Sequence, residues 1–408
     1  MKVVFIVTSF WSYGELLIAM QFANELRYTS SEVLFIIPPT HKNNVAKNNF
    51  KYVSLIPKSQ KLNRLIFLEI EHTFKPELII LSDFLNYSFS DRHYGIEYND
   101  LSIFSGKLAT FDNFNWSLER KCMDTYGFVS DIPKRTDVTY YGEKILPCPL
   151  VDAKNSTEGS GYHYSLVRNR LDTSKETRRL LRSKHGFSNE DNNKIILASY
   201  AKWQDSYISH ENIGDFINLS NRIFDELILQ LSKYYTIICI GKQDAKFKDN
   251  KNIHCYNSMP DHLFDEYASL SDLYIGRNMT STSMVKLALS DIICINIINS
   301  FVTNHKISET CFGDLDYGAM ISNMPMYKYM MFPVGWYYFL KPLFWQNLYA
   351  EIICMREQFH MNETLHIIHE LLFSKIKKES ISDKVHKLNK QLTTLPTPID
   401  IVESIISK

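Results

Sequence analysis

After Gly276 the chain runs Arg277-Asn278-Met279-Thr280-Ser281-Thr282-Ser283, a permanent cation followed by small hydroxyl and amide side chains. The backbone N–H groups at a helix start are unpaired and carry partial positive charge, so hydroxyl residues there beside an arginine suit a diphosphate. Ser and Thr are equally the preferred caps of any helix, and both readings stand. The preceding apolar run Leu273-Tyr274-Ile275 reads as a strand, and ligands of α/β sheets gather at the carboxyl ends of strands. Two further loops follow apolar runs in the same half: Ser199 and Lys202 after Ile195 to Ala198, and Gly241-Lys242 after Thr236 to Ile240. A lysine in such a loop either neutralises phosphate as a point charge or is simply solvated.

A second constellation lies near the start, in Ser9-Phe10-Trp11-Ser12-Tyr13-Gly14-Glu15. Glu15 can act as a general base if burial raises its pKa toward neutrality. Ser12-Tyr13-Gly14-Glu15 also fits the S-x-x-E capping box, in which the glutamate only bonds back to the cap amide. Trp11 and Tyr13, beside Gly14, are placed to stack on a bound ring or to pack. Asp83 ends a fourth apolar run and Asp112-Asn113 a fifth; each aspartate suits a base, a cap or a turn. Glu15 and Asp112 are the catalytic candidates, with Trp11, Tyr13, Gly14, Asp83 and Asn113 as candidate binding residues beside them.

The thirteen histidines are scattered; His366 and His369 lack a third ligand nearby, and no metal site is expected. There is no G-x-x-x-x-G-K-[ST] loop, no G-x-G-x-x-G after the first strand and no G-x-S-x-G elbow, which removes the main support for P-loop ATPases, ordinary dehydrogenases and serine hydrolases.

The elements that must position these residues repeat one grammar twice. Val3 to Thr8, Val33 to Ile37, Tyr52 to Ile56 and Leu78 to Leu81 read as strands, with helices at Glu15 to Arg27 and Leu62 to Phe74. The pattern restarts at Lys194 to Tyr200 and continues through a helix at Asn221 to Lys233 and strands at Thr236 to Ile240, Asn252 to Tyr256, Leu273 to Ile275 and Ile292 to Ile297, with helices at Asp261 to Ser269 and Ser281 to Leu289. Fully apolar strands separated by helices imply parallel sheets covered on both faces. The expected fold class is therefore α/β, two Rossmann-like doubly wound domains with C-terminal helices.

The Ser/Asn/Gly-rich stretch after Ala153 is the join. The division is 1–160 for an N-terminal Rossmann-like domain, 161–193 for a linker and basic helix, 194–380 for a C-terminal Rossmann-like domain and 381–408 for terminal helices. The cluster Arg168 to Arg182 reads as an exposed helix face. Phe339 to Gln358, Glu363 to Lys377 and Ser382 to Leu392 read as helices, with a last one opening at Thr397-Pro398-Ile399-Asp400. The aromatic segment Tyr327 to Tyr338 suits either core or a pocket.

With 408 residues, two domains are the natural expectation. The 45 basic side chains balance 45 acidic ones, so no general basic surface argues for nucleic acid. Seven widely spaced cysteines without a C-x-x-C pair fit free thiols and a cytoplasmic location, and no apolar stretch has the length of a membrane span.

The layout resembles the GT-B glycosyltransferases. In residues, the likeness rests on Asp272 to Ser283, which is similar to that family's donor-diphosphate strand and helix start, and on the first β-to-α turn. The resemblance implies two domains facing across a cleft, with a nucleotide-sugar on the C-terminal one. It implies a small-molecule, glycan or peptide acceptor on the other, direct displacement without a metal, and no tightly bound cofactor. The chain departs from the family pattern in three places: no histidine occupies the first turn, paired glycines are replaced by Asn278-Met279-Thr280, and the acidic residue after the phosphate helix, Asp291, falls at that helix's end. A sugar-nucleotide epimerase or hydrolase, or a non-catalytic binding protein, on the same fold are the alternatives.

Overall fold

The structure is a computed structural model describing residues 1–10, 13–87, 90–113, 115, 142–153, 161–200, 208–209, 214–242, 245–298, 309–322 and 347–408. The chain divides into two compact units. The first takes the described residues up to Arg168 together with Lys390–Lys408, and the second takes Asn169–Asn389. The sequence division at residue 160 differs from this at both ends, because β7 and the last helix both join the first unit.

The first unit holds a seven-stranded parallel sheet. Its strands are β1 (Lys2–Ile6), β2 (Glu32–Ile37), β3 (Lys51–Ser54), β4 (Leu78–Leu81), β5 (Lys107–Phe111), β6 (Glu143–Cys148) and β7 (Tyr162–Ser165), in the order β3-β2-β1-β4-β5-β6-β7. Val3 to Ile6 and Leu78 to Leu81 are buried throughout, as strands covered on both faces must be. Helix α1 (Gly14–Leu26) buries Leu16, Ala19, Met20, Ala23 and Leu26, the stripe its spacing predicts. Phe22, also buried, meets Phe5, Phe111 and Tyr164 edge-on, with centroids 5.1 to 6.2 Å apart. Short helices α2 (Lys42–Lys47), α4 (Phe84–Tyr87) and α5 (Ser90–Tyr94) and the longer α3 (Gln60–Thr73) complete the connections after β2, β3 and β4.

The second unit repeats the plan with a six-stranded parallel sheet in the order β10-β9-β8-β11-β12-β15. Its strands are β8 (Ile195–Ser199), β9 (Thr236–Ile240), β10 (Ile253–Tyr256), β11 (Leu273–Gly276), β12 (Ile293–Ile298) and β15 (Ile353–Glu357), and a two-residue hairpin, β13 (Cys311–Phe312) and β14 (Leu315–Asp316), stands apart. Helices α6 (Lys175–Lys184), α7 (Gly214–Ser232), α8 (Asp261–Leu270) and α9 (Thr282–Leu289) accompany it. Helices Met361–Phe373, Lys375–Leu392 and Pro398–Ser407 follow. The last opens at the expected place, with Thr397 and Asp400 forming a reciprocal capping box.

Three sequence expectations change. The helix expected over Phe339 to Gln358 gives way, within the described part, to a helix at Leu348–Ile352 and then strand β15. The run Ile352-Ile353-Cys354-Met355 suits either element, and pairing with Cys294 to Ile298 of β12 decides it. Strands β6 and β7 carry no clean signal: Pro147 interrupts the first, and Tyr162-His163-Tyr164-Ser165 lies in the expected linker. Pro147 is tolerated because the β5 ladder already ends at Phe111 opposite Ile145.

The third change concerns the basic cluster, which is not wholly an exposed face. Arg182 of α6 turns inward, where its guanidinium meets Asp272 at 2.7 Å and donates to the Leu270 carbonyl at 3.1 Å. Arg178 reaches the other Asp272 oxygen at 3.6 Å. Asp272 also accepts from the Ile195 N–H at 2.8 Å, so one carboxylate ties α6 to the starts of β8 and β11.

Candidate functional site

In each sheet the chain order reverses direction at one point, between β1 and β4 in the first and between β8 and β11 in the second. The loops leaving a parallel sheet at such a point splay to opposite faces and open a crevice at the carboxyl ends of the strands. The described candidates fall at or beside these two points.

At the first, β1 leads through Ser9 and Phe10 to Tyr13 and α1, and β4 leads through Ser82 to Asp83 and α4. Next to it, β5 leads to Asp112 and Asn113. Glu15, in the first turn of α1, is half-buried, while Asp83, Asp112 and Asn113 are buried. Asp83 accepts from the backbone N–H of Asn86 at 2.8 Å, as a helix-capping aspartate does, and from the Asn113 side-chain amide at 2.8 Å. The side-chain amide of Asn86 donates in turn to Glu15 at 2.7 Å. The structure thus joins Glu15, Asp83 and Asn113 into one network through Asn86, a residue that sequence reasoning missed. The only signal for Asn86 was the Asp-x-x-Asn spacing of a capped turn.

Burial pushes the Asp83 carboxyl up to about 8; the negative charges of Glu15 and Asp112 add to that rise, and the two amide donors oppose it. Asp83 therefore holds a proton at neutral pH. Helix α1 starts one residue later than the Ser12 capping box requires: its N-cap is Tyr13, without a side-chain cap bond, and the Glu15 carboxylate serves Asn86. Ser12 and the candidate Trp11 lie outside the described residues. At the rim, Tyr13 is 46% and Phe10 39% exposed. Tyr13 leans on His41 with centroids 4.8 Å apart, and Phe10 meets His93 edge-on at 4.7 Å. Gly14 is exposed, with nothing near its missing side chain.

At the second point, Ser199 closes β8, Gly241-Lys242 follow β9, and Arg277 follows β11. Arg277 is 2% exposed. Its guanidinium donates to Asn221 of α7 at 2.6 Å and lies 5.0 Å from the Phe224 ring centroid. Lys242 pairs with Asp225 of α7 at 2.5 Å, and the Tyr200 hydroxyl donates to the same carboxylate at 3.0 Å. Gly241 has φ +94°, and an added Cβ would stand 2.6 Å from the Tyr200 carbonyl, so the turn that delivers Lys242 needs glycine. Ser199 shares a hydrogen bond with the Tyr274 hydroxyl. Lys202 lies outside the described residues.

The α9 start divides its hydroxyls between two tasks. Ser281 is the N-cap, accepting from the Met284 N–H at 3.2 Å, and Asn278 accepts from both the N–H and the hydroxyl of Thr280, bending the loop. Thr282 is buried and Ser283 half-buried in the first turn. Asp291, with φ +62°, sits just past the helix end and accepts from Ser382 at 2.9 Å. Asn221 and Asp225 had no sequence signal, being polar positions on an otherwise apolar helix face.

Among the described residues no group of three His, Cys, Asp or Glu is placed to hold a metal ion. Among them too, no helix is long and apolar enough to cross a membrane. The segment Tyr327 to Tyr338 lies outside the described residues.

Comparison with known proteins agrees with the fold. No curated protein matches the chain by sequence. Among solved structures, UGT89C1 of Arabidopsis thaliana, complexed with quercetin, is similar with a TM-score of 0.60 at 8% identity, over 99% of this chain and 98% of that one. The spinosyn forosaminyltransferase SpnP is similar with a TM-score of 0.56 at 12% identity over 100% of both chains. Anabaena HepE, in complex with UDP and glucose, is similar with a TM-score of 0.52 at 11% identity, over 100% of this chain and 98% of that one. These are GT-B glycosyltransferases, and at such identities the likeness speaks to fold. The profile of a family of unknown function, DUF6365, matches residues 22–408; the chain belongs to that family, and its fold is that of the GT-B glycosyltransferases.

Proposed function

We propose that the protein is a glycosyltransferase that moves a sugar from a nucleotide-activated donor to an acceptor nucleophile. The observation that carries this is the contrast between the two switch points. The first gathers carboxyl groups linked by Asn86, and the second gathers a buried arginine beside a capped helix start.

Glu15 is the base, because it is the half-buried member of the acidic network and Asn86 fixes its orientation; Asp112, fully buried, is second. In the proposed step the acceptor hydroxyl gives its proton to Glu15 as its oxygen bonds to the anomeric carbon. The bond from that carbon to the diphosphate breaks, and its electron pair leaves with the nucleoside diphosphate. The N–H groups of α9, Thr280, Ser283 and the Arg277 charge receive the leaving diphosphate, so the step uses no metal. Ser199, Asn278, Ser281, Thr282 and the Gly241-Lys242 turn shape the donor site. The free thiols of Cys148, Cys239, Cys255, Cys294, Cys311 and Cys354 accord with a cytoplasmic setting.

Calorimetric titration with UDP, GDP, dTDP and CMP tests the donor site. One nucleotide is expected to bind, and Arg277→Lys, which keeps charge but loses the planar fork, is expected to weaken it by about tenfold. Wild-type affinity in Arg277→Lys and Arg277→Ala, both folded, would remove Arg277 from the donor site. Product analysis with the donor alone separates transfer from epimerisation or hydrolysis.

A further inference from the structure

We propose that helix α3 pairs with α3 of a second copy of this chain, the two running antiparallel about a two-fold axis at Leu65. Helix α3 buries Asn63, Phe67 and Ile70 on one side and turns the opposite stripe outward. On that stripe Leu62 is 44% exposed, and Leu65 and Leu68 are each 51% exposed. Ile56 extends the patch. Its N–H donates to the buried Asn63 side chain and its carbonyl accepts from it, both at 2.8 Å, which fixes the exposed Ile56 beside the first turn of α3. Tyr52, also exposed, stands on β3, the outermost strand of the first sheet. A lone surface leucine needs no explanation, but three in a row on a helix beside a sheet edge mark an interaction face.

The charges on this face identify the occupant. Leu62 and Leu68 stand three positions either side of Leu65, and Lys61 and Glu69 stand four positions either side. Positions three and four apart share a helix face. A second α3 laid antiparallel with Leu65 on the axis sets Leu62 level with Leu68 of the partner subunit, and Lys61 level with the partner subunit's Glu69. Two-fold symmetry repeats both pairings, so the surface is complementary to itself in shape of sequence and in charge. A parallel pairing would instead set lysine level with lysine. Among the described residues neither Lys61 nor Glu69 has an ion-pair partner in its own chain, whereas Arg64, beyond the stripe, is held by Asp100 at 3.3 Å. An anionic membrane is the poorer match, because Glu69 stands on the same face and Arg64 is already paired. Five apolar side chains fall well short of the roughly 20 residues a side of a standard interface, so association at micromolar concentrations is expected rather than an obligate dimer.

Sedimentation velocity of the full chain at low salt, over about 1 to 200 μM, tests the pairing independently of the transferase reading. The mass is expected to rise from one copy to two across that range. Leu65→Arg, which places like charges on the axis, is expected to stay monomeric throughout. Lys61→Glu and Glu69→Lys are each expected to weaken dimerisation about tenfold, since each turns two attractive pairs into repulsive ones. Combining the two swaps is expected to restore wild-type association, because the pairs re-form with signs exchanged. All three positions are exposed, and melting curves confirm that the variants fold; should Leu65→Arg misfold, the charge swaps decide alone. A wild type that stays monomeric, a dimer that persists in folded Leu65→Arg, or single swaps without effect would overturn the proposal, as would a double swap that fails to recover. Flotation with phosphatidylserine-containing vesicles gives the other arm: membrane binding by a wild type that is monomeric in solution, lost in Leu65→Arg, would assign the face to a lipid surface and overturn the pairing.

Discussion

Asn86 donates its side-chain amide to Glu15 at 2.7 Å although the two residues stand 71 positions apart, one in helix α4 after β4 and the other in the first turn of α1 after β1. Its backbone N–H holds Asp83 at 2.8 Å, so a single residue sets the geometry of two carboxyl groups with independent donors. The independence matters, since a side-chain change can release one carboxylate and leave the other held.

Asn86→Ala is expected to destabilise the protein by about 1 to 2 kcal/mol, the cost of leaving a partly buried carboxylate short of a donor. Carboxyl carbon NMR should show Glu15 shifted and the Asp83 bond to the backbone retained. Equal perturbation of both carboxyls would contradict the separate-donor arrangement.

The raised Asp83 carboxyl makes stability depend on pH with a definite sign. Its folded value, about 8, lies above the unfolded value near 4, so its contribution to stability is fully present below about pH 4 and is lost progressively as pH rises toward 8, while the unfolded carboxyl ionises and the folded one keeps its proton. Asp83→Asn removes that dependence. Relative to wild type, the variant is expected to gain up to about 1.4 kcal/mol per pH unit across this window. Urea unfolding at several pH values measures the difference; a flat difference would show that Asp83 titrates normally.

Arg182→Ala is expected to cost about 3 to 5 kcal/mol, because it strands the buried Asp272 carboxylate at the starts of β8 and β11. The paired change Arg182→Met with Asp272→Leu should cost clearly less, since no unmatched charge remains. Chemical denaturation of the two variants compares them, and equal losses would mean that the ion pair is not what binds α6 to the sheet.

Capping and ligand binding at α9 can be separated at one position. Ser281→Asp retains an N-cap acceptor for the Met284 N–H and is expected to keep stability within about 0.5 kcal/mol. The same variant places a negative charge where the diphosphate would sit, and nucleotide affinity is expected to fall about tenfold or more. Thermal melting and calorimetry read the two effects; stability kept with affinity intact would make Ser281 a cap alone.

Much of the architecture was legible because it is written in local apolar periodicity: β1, β4, β8, β11 and α1 are runs whose burial follows from their own residues. The Thr397 cap was legible for the same reason, being a local pattern. What escaped depends on partners distant in sequence. Strand β15 needs β12 to become a strand, and β6 carries a proline that only the extent of its neighbour's ladder excuses. At the site, Glu15, Asp83, Asp112, Asn113 and Arg277 stood out by type and by position after strands. Asn86, Asn221 and Asp225 did not, because an amide or carboxylate inside a helix reads as surface until its long-range partner is known.

The return of Lys390–Lys408 to the first unit has a consequence for how the protein is made. Helix Pro398–Ser407 buries Ile401, Val402 and Ile405, and Arg168 of the first unit donates to the carbonyls of Leu395 and Pro396. The sheet that begins at residue 2 therefore acquires its last covering helix some 390 residues later in synthesis. On the ribosome, the first unit must wait with an apolar surface uncovered while the whole second unit is translated, so the half that starts first is the half that finishes last.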